Sequence, residues 1–207
     1  DRVTLNSGSV SDGERQGFEQ WLRADAGHRL AWERLQAPLQ QMLSPLRTGT
    51  GERRDFALPD GSTITLDARS AADLDFSGGR RTVILRQGTL LAHAAPQAWE
   101  AGQGGAAFTV RTAHGQVRAL GTRFVVRQEA GSSLVSMLEH SVEITTPQGA
   151  SQVLAQGRSA RFGPAGIAED ATEPGTASAW QRGMLEAHDQ PLGEVVQALR
   201  AYRAGFI

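Results

Sequence analysis

The chain has 207 residues, of which 40% are hydrophobic and 21% charged, and its net charge is −1. That length and apolar content suffice for one large folded domain or two small ones and exclude a disordered chain. Balanced charge leaves no basic field for nucleic acid or anionic lipid, and the absence of cysteine excludes disulfides and thiolate metal sites without fixing a redox compartment.

Ser11 and Glu14 have the spacing of a capping box, and Phe18, Trp21 and Leu22 follow at the i, i+3, i+4 spacing that lines one apolar helix face. These residues predict a helix over 12–24, broken by Asp25-Ala26-Gly27. His28, sited as a helix-start residue, then Trp32, Leu35 and Leu39 mark a second face, closed by Pro38 and Pro45. A pair of helices in residues 1–46 has little surface to bury both Trp21 and Trp32. Either the two indoles pack on each other as a miniature core, or they present a docking surface for another protein, where tryptophan often dominates the binding energy. Glu14, Glu19 and Glu33 among the arginines argue against direct DNA binding.

Residues 47–55 carry Gly, Thr and Arg without apolar periodicity and read as a linker. The uncharged stretch over 36–46 holds two prolines and is about half the ~20 residues needed to span a bilayer, so the printed chain shows no membrane span. Its abrupt ends suggest a fragment or a spliced chain.

Beyond residue 55 the period changes to two. With 24 glycines, seven phenylalanines and one tyrosine, the composition favours many turns between short strands. Pro59-Asp60-Gly61-Ser62 is a turn and 63–67 an alternating strand, with Gly78-Gly79 as the next turn. Strands are expected over 81–85 and 89–92 with a turn at Gly88, then over 108–111, with His114-Gly115 turning the chain back. A strand pair over 134–138 and 141–145 follows. Residues 84–88, 137–141 and 153–157 share one shape: two apolar residues, a polar pair, then a small residue at a turn. Sandwich, barrel and β-solenoid all fit, and this echo tilts the expectation to a twisted β-solenoid over 56–179.

Asp67, Asp73 and Asp75 fall on expected outward positions, and no paired acid and base, phosphate loop or serine-hydrolase elbow is present. No cofactor is expected, and no metal: His93, His114 and His140 sit on separate strands and could meet only in three dimensions.

The stretch over 116–127 is the chemically distinctive one. Two β-favouring runs meet at Gly121-Thr122, where a strand would otherwise continue. One reading is a bulge with a threonine after it. The other is that the Thr122 hydroxyl attacks the Gly121 carbonyl, converting amide to ester before hydrolysis, which requires strain and a base that one of the three histidines could supply.

In residues 180–207, a short strand is expected over 184–187. Pro191 then opens a helix whose stripe runs through Leu192, Val195, Val196, Leu199 and Tyr202. This is the start of a βαβ-like lobe.

Leu-Pro-Asp-Gly-Ser at 58–62, Val-Arg-Ala-Leu-Gly-Thr-Arg-Phe at 117–124, Leu-Glu at 138–139 and Trp-Gln-Arg-Gly with Pro-Leu-Gly-Glu-Val-Val across 180–196 resemble the FecR family of transmembrane anti-sigma regulators. The Phe-Glu-Gln-Trp-Leu and Ala-Trp-Glu-Arg-Leu stretches resemble that family's cytoplasmic N-terminal domain. The resemblance implies a mainly β protein with small helical parts: a helical anti-sigma domain over 1–46, a membrane helix missing at the 46/47 junction, a periplasmic β domain over 56–179, and the start of a lobe like a receptor's own signalling domain over 180–207. It further implies an extracytoplasmic-function sigma factor as partner, held through Phe18, Trp21, Trp32 and Leu35, together with the signalling domain of a TonB-dependent receptor for iron-siderophore uptake and an intramembrane protease. Some members cut themselves at a Gly-Thr bond that maps onto Gly121 and Thr122. His140 stands where the family usually has a turn glycine. The expected protein is thus a regulator and no turnover enzyme; the contrasting expectation is a soluble β-solenoid scaffold without sigma-factor regulation.

Overall fold

The computed structural model describes residues 13, 17, 20, 21, 23–25, 28, 45–95, 106–119, 121–186 and 192–203. The chain divides into two compact units, residues 1–39 and 40–207. In the first, Gly13, Gly17, Gln20, Trp21, Arg23, Ala24 and His28 are helical and Asp25 is not. Phe18, Trp32 and Leu35 lie outside the described residues.

Among the described residues the second unit forms thirteen strands, several of them with alternating apolar and polar residues: β1 (Leu46–Arg47), β2 (Arg54–Ala57), β3 (Thr63–Leu66), β4 (Ala71–Asp75), β5 (Thr82–His93), β6 (Phe108–Thr112), β7 (Gly115–Ala119), β8 (Arg123–Gln128), β9 (Ser133–Glu139), β10 (Ser141–Thr145), β11 (Ser151–Ala155), β12 (Ser159–Gly163) and β13 (Gly166–Asp170). Two short helices follow, α1 (Pro174–Ala177) and α2 (Leu192–Leu199), with a 3-10 turn at Ala179–Arg182 between them. Hydrogen bonds join the thirteen described strands into a nearly closed sheet along the path β11-β10-β7-β6-β5-β8-β9-β12-β13; off this path, β4 pairs with the first part of β5 and carries β1, and β3 pairs with the second part and carries β2.

The sheet folds into two halves. The first half comprises β1, β4, the front of β5, β6, β7, β10 and β11. The second comprises β2, β3, the back of β5, β8, β9, β12 and β13. One apolar core joins them, with Val83, Leu85, Phe108, Val110, Val117 and Ile144 from the first half and Ile64, Leu66, Phe124, Val135, Met137 and Phe162 from the second. Burying each such side chain contributes roughly 1.5–3 kcal/mol.

The predicted turn at Gly88 is instead a bend within one 12-residue strand. Val83 and Leu85 face the core before it and Leu90 and Ala92 after it, so the inward parity switches there. Gly88 has φ 81°, and a Cβ would lie 2.3 Å from Ser70 Oγ and 2.8 Å from Ser70 Cα. Only glycine can pass.

The solenoid expectation needs correcting. The chain does visit the two halves in alternation, but among the described residues its ladders are antiparallel except β5–β6, whereas stacked solenoid coils pair in parallel. The echo over 84–88, 137–141 and 153–157 marks places where the chain passes between halves: β5 at Gly88, β9 to β10 at His140, and β11 to β12 at Gly157. All three residues have positive φ, 81°, 62° and 78°. For the same reason β9 and β10 are not a mutual pair: β9 pairs with β8 and β12, and β10 with β7 and β11.

The strand expected over 184–187 is absent from its described part, since residues 184–186 have no regular structure. The boundary at 179/180 also falls inside a packed segment, because Trp180 is buried on Leu91 and Val125 of the second half.

Candidate functional site

Between β7 and β8 the chain changes halves, from a strand held by β6 and β10 to one held by β5 and β9. Gly121 turns the backbone at φ 76°, a left-handed angle that strains other residues, and β8 meets β9 with a register shift immediately beyond, at Arg123/Phe124. Thr122 is 3% exposed. Its carbonyl accepts the Ala94 N–H at 2.9 Å, while its Oγ1 is buried with no hydrogen-bond partner among the described residues. An unsatisfied buried hydroxyl costs about 1–3 kcal/mol, so this oxygen is held at a cost and no competing bond occupies it.

None of the three histidines hydrogen-bonds Thr122. His93 is exposed and pairs in register with Arg123. His114 lies at the β6–β7 turn with Nδ1 3.0 Å from Ser133 Oγ, and burial pushes its pKa below the usual imidazole range. His140 occupies the neighbouring crossover, exposed, with its backbone N–H donating to Gln156 Oε1 at 3.4 Å. The histidines do not converge, and among the described residues no group of three or more His, Asp or Glu could hold a metal ion.

Of the sigma-facing candidates, Trp21 is described. It is 42% exposed and stacks on His28, with ring centroids 4.3 Å apart and planes 10° from parallel. His28 Nδ1 lies 2.9 Å from the Trp21 carbonyl, so the two residues brace the break between the predicted helices.

A second site forms on the outer face of the second half. A cross-strand row of Asp67, Thr89, Arg127, Leu134 and Arg161 floors a cavity of about 940 Å³, walled by Trp180, Met184, Leu185, Ala201 and Tyr202. Arg161 is bridged by Glu129 and by Asp170, the latter at 3.1 Å. Asp67 faces outward from the sheet, but Tyr202 covers it and it is 9% exposed where a solvated carboxylate was expected. Burial raises its pKa, and the hydrogen bond from Tyr202 offsets this in part. Burial, followed by the bond to Asp67, pushes the Tyr202 phenol pKa up as well. Sequence reasoning missed Asp67, Arg53, Trp180 and Tyr202 as a group. Their contacts join positions 127 and 135 residues apart, and no local spacing signals them.

Comparison with known proteins places these features. Residues 44–143 match the family described as FecR protein, and residues 2–37 match a domain of unknown function, DUF4880. No curated protein matches the chain. Two crystal structures of a candidate anti-sigma factor from Parabacteroides distasonis are similar to it, both at a TM-score of 0.64. One is 24% identical, covering 75% of this chain and 73% of that one. The other is 25% identical, covering 76% and 73%.

Proposed function

Because residues 44–143 make this chain a member of the FecR family, we propose that it is an anti-sigma regulator: its N-terminal helices hold an extracytoplasmic-function sigma factor, and its β body takes in the signal that sets that factor's activity. The observation that carries the reading is the fold shared with a candidate anti-sigma factor at 25% identity over 76% of the chain. Trp21, exposed and stacked on His28, supports the docking side of the proposal, with Phe18, Trp32 and Leu35 as its expected neighbours.

In the fuller form of the proposal, the β body lies in the periplasm and a membrane helix joins it to the N-terminal helices; that helix lies outside β1, since Leu46 and Arg47 both pair with β4 across the expected 46/47 junction. It receives the signalling domain of a TonB-dependent receptor for iron-siderophore uptake, and an intramembrane protease completes the relay. The motifs at 58–62, 117–124 and 180–196 support this form. No helix among the described residues is long and apolar enough to cross a membrane, so the anchor belongs to the proposal.

Its only covalent chemistry acts on itself. Thr122 Oγ1 attacks the Gly121 carbonyl carbon, the C–N bond breaks, the Thr122 nitrogen takes up a proton to become an amine, and water then hydrolyses the ester. Gly121 at φ 76° and the unpartnered Thr122 hydroxyl support this step.

Co-expression of the whole chain with extracytoplasmic-function sigma factors from its own genome tests the central claim. The expected result is co-purification that is lost in Trp21→Ala; a folded chain that captures no sigma factor overturns the anti-sigma role and leaves a β scaffold. Intact-mass measurement tests the cut. Two fragments meeting at Gly121 and Thr122 are expected in the wild type, and one intact species in Thr122→Ala.

A further inference from the structure

The stretch that enters the β body and the stretch after its last strand hold each other directly. Thr48 fastens the entry: its Oγ1 donates to the Asp67 carbonyl and accepts the Ser70 N–H at 2.9 Å, while the Arg69 N–H donates to the Gly49 carbonyl at 3.0 Å. Next to it, the Gly51 N–H donates to the Ala201 carbonyl at 3.0 Å. Gly51 has φ 68°, and a Cβ there would come 3.1 Å from the Tyr202 carbonyl oxygen, so the close approach needs glycine. Arg53 Nη1 donates to the Trp180 carbonyl at 2.8 Å and also to that of Gln181, at the end of the 3-10 turn. Tyr202 Oη donates to Asp67 Oδ2 at 2.5 Å.

From these contacts we propose that residues 49–53, together with Asp67, and the C-terminal segment form a clasp, through which the C-terminal segment sets the position of β1 and of the chain leading into it. The close-packed core between the halves resists continuous deformation, so it is a poor carrier of a graded movement. The clasp consists of four hydrogen bonds outside every ladder, and such contacts open at far lower cost than a core does. Once it opens, the described contacts that remain on β1 and the residues after it are the Thr48 bonds, the Arg69–Gly49 bond, the packing of Leu46 on the core, and the residue pairs Leu46↔Ala72 and Arg47↔Ala71. The inference rests on the anti-sigma reading where it takes this displacement to be the signal passed toward the N-terminal unit.

Two measurements on the full chain test it. The first is residue-resolved hydrogen exchange of the wild type, Tyr202→Phe and Arg53→Ala. Loss of one clasp bond is expected to speed exchange at Gly51 about tenfold while β5 and β8 amides stay unchanged. Unchanged exchange at Gly51 in both variants overturns the clasp. The second is output from a promoter read by the captured sigma factor, compared among the wild type, the double variant, a chain ending at Arg182, and Arg158→Ala as a surface control. The double variant and the shortened chain are expected to shift output in the same direction, each at least fivefold, with the control at the wild-type level. A double variant at the wild-type level beside a shifted shortened chain, or a shortened chain that shifts nothing, overturns the clasp as a relay. If expression of the wild-type chain leaves output unaltered, the anti-sigma reading fails and the relay with it, while the exchange result alone decides whether the contact exists.

Discussion

Replacing Thr122 with valine keeps its outline and removes a buried hydroxyl that has no hydrogen-bond partner among the described residues. The variant is expected to gain about 1 kcal/mol in urea denaturation, because the desolvation cost of that group disappears. A loss instead would mean that the hydroxyl has a structural partner. His140 carries a different cost: its φ of 62° is a left-handed angle taken by a residue with a Cβ. His140→Gly should therefore stabilise the fold by about 0.5–1 kcal/mol, offset in part by the added freedom of the unfolded chain. Asp67 sets a pH dependence. Burial raises its folded pKa above the ordinary carboxylate value, so the folded state binds the proton more tightly, and stability from this group falls as pH rises from the ordinary value through the raised one. Denaturation of the wild type and Asp67→Asn across this window should show the asparagine variant gaining ground as pH rises, then holding its lead. Asp60 runs the other way. Burial opposes its ionisation, but hydrogen bonds from Ser62 and Arg81 outweigh that and hold its pKa low, so its contribution is lost only as pH falls below the ordinary carboxylate range.

At the scale of elements, Trp180 is the large apolar anchor of α1 and the 3-10 turn, beside the Arg53 bonds to the turn's carbonyls. Trp180 is 5% exposed on Leu91 and Val125, with Leu138 beside it, and its indole N–H has no partner among the described residues. Trp180→Ala is expected to cost about 3–5 kcal/mol and to expose residues 174–182 to proteolysis. Trp180→Phe should cost less than about 1.5 kcal/mol, since the ring is kept and an unsatisfied donor removed. Proteolysis equal to wild type in Trp180→Ala would show that Arg53 alone holds the segment.

Much at this scale was legible in the sequence. Alternation over 63–67, 108–111 and 141–145 located β3, β6 and β10, and Gly61 with Asp60 located the turn before β3. Gly88 was misread because glycine between two β runs signals a reversal and a sheet crossing alike, and only the position of Ser70 against it separates the two. β4 was missed, since Ala71-Ala72-Asp73 has weak β preference and is held as a strand by β1 and β5. The strand expected at 184–187 failed for the converse reason: apolar Met184 and Leu185 had no neighbouring ladder to join, and they remain 45% and 41% exposed. Of the candidate site, the Gly121-Thr122 pair was visible as a pattern, whereas the buried, unpartnered state of its hydroxyl depends on the whole β7–β8 crossover.

For the molecule as a whole, the two halves share β5 and exchange strands at 121–122, 140 and 157, so residues 45–186 should unfold in one transition, with fluorescence and circular dichroism reporting the same midpoint. The position of the Gly121–Thr122 bond within that exchange has a mechanical consequence. Everything up to β7 lies before the bond and everything from β8 lies after it, yet β5 grips β8 through six residue pairs and β7 grips β10 through four. A nicked chain would migrate as a single particle at rest and come apart only in denaturant or under tension. The two ends at the nick would then behave like a zipper whose stop has been removed, closed under thermal agitation and open to a steady tug.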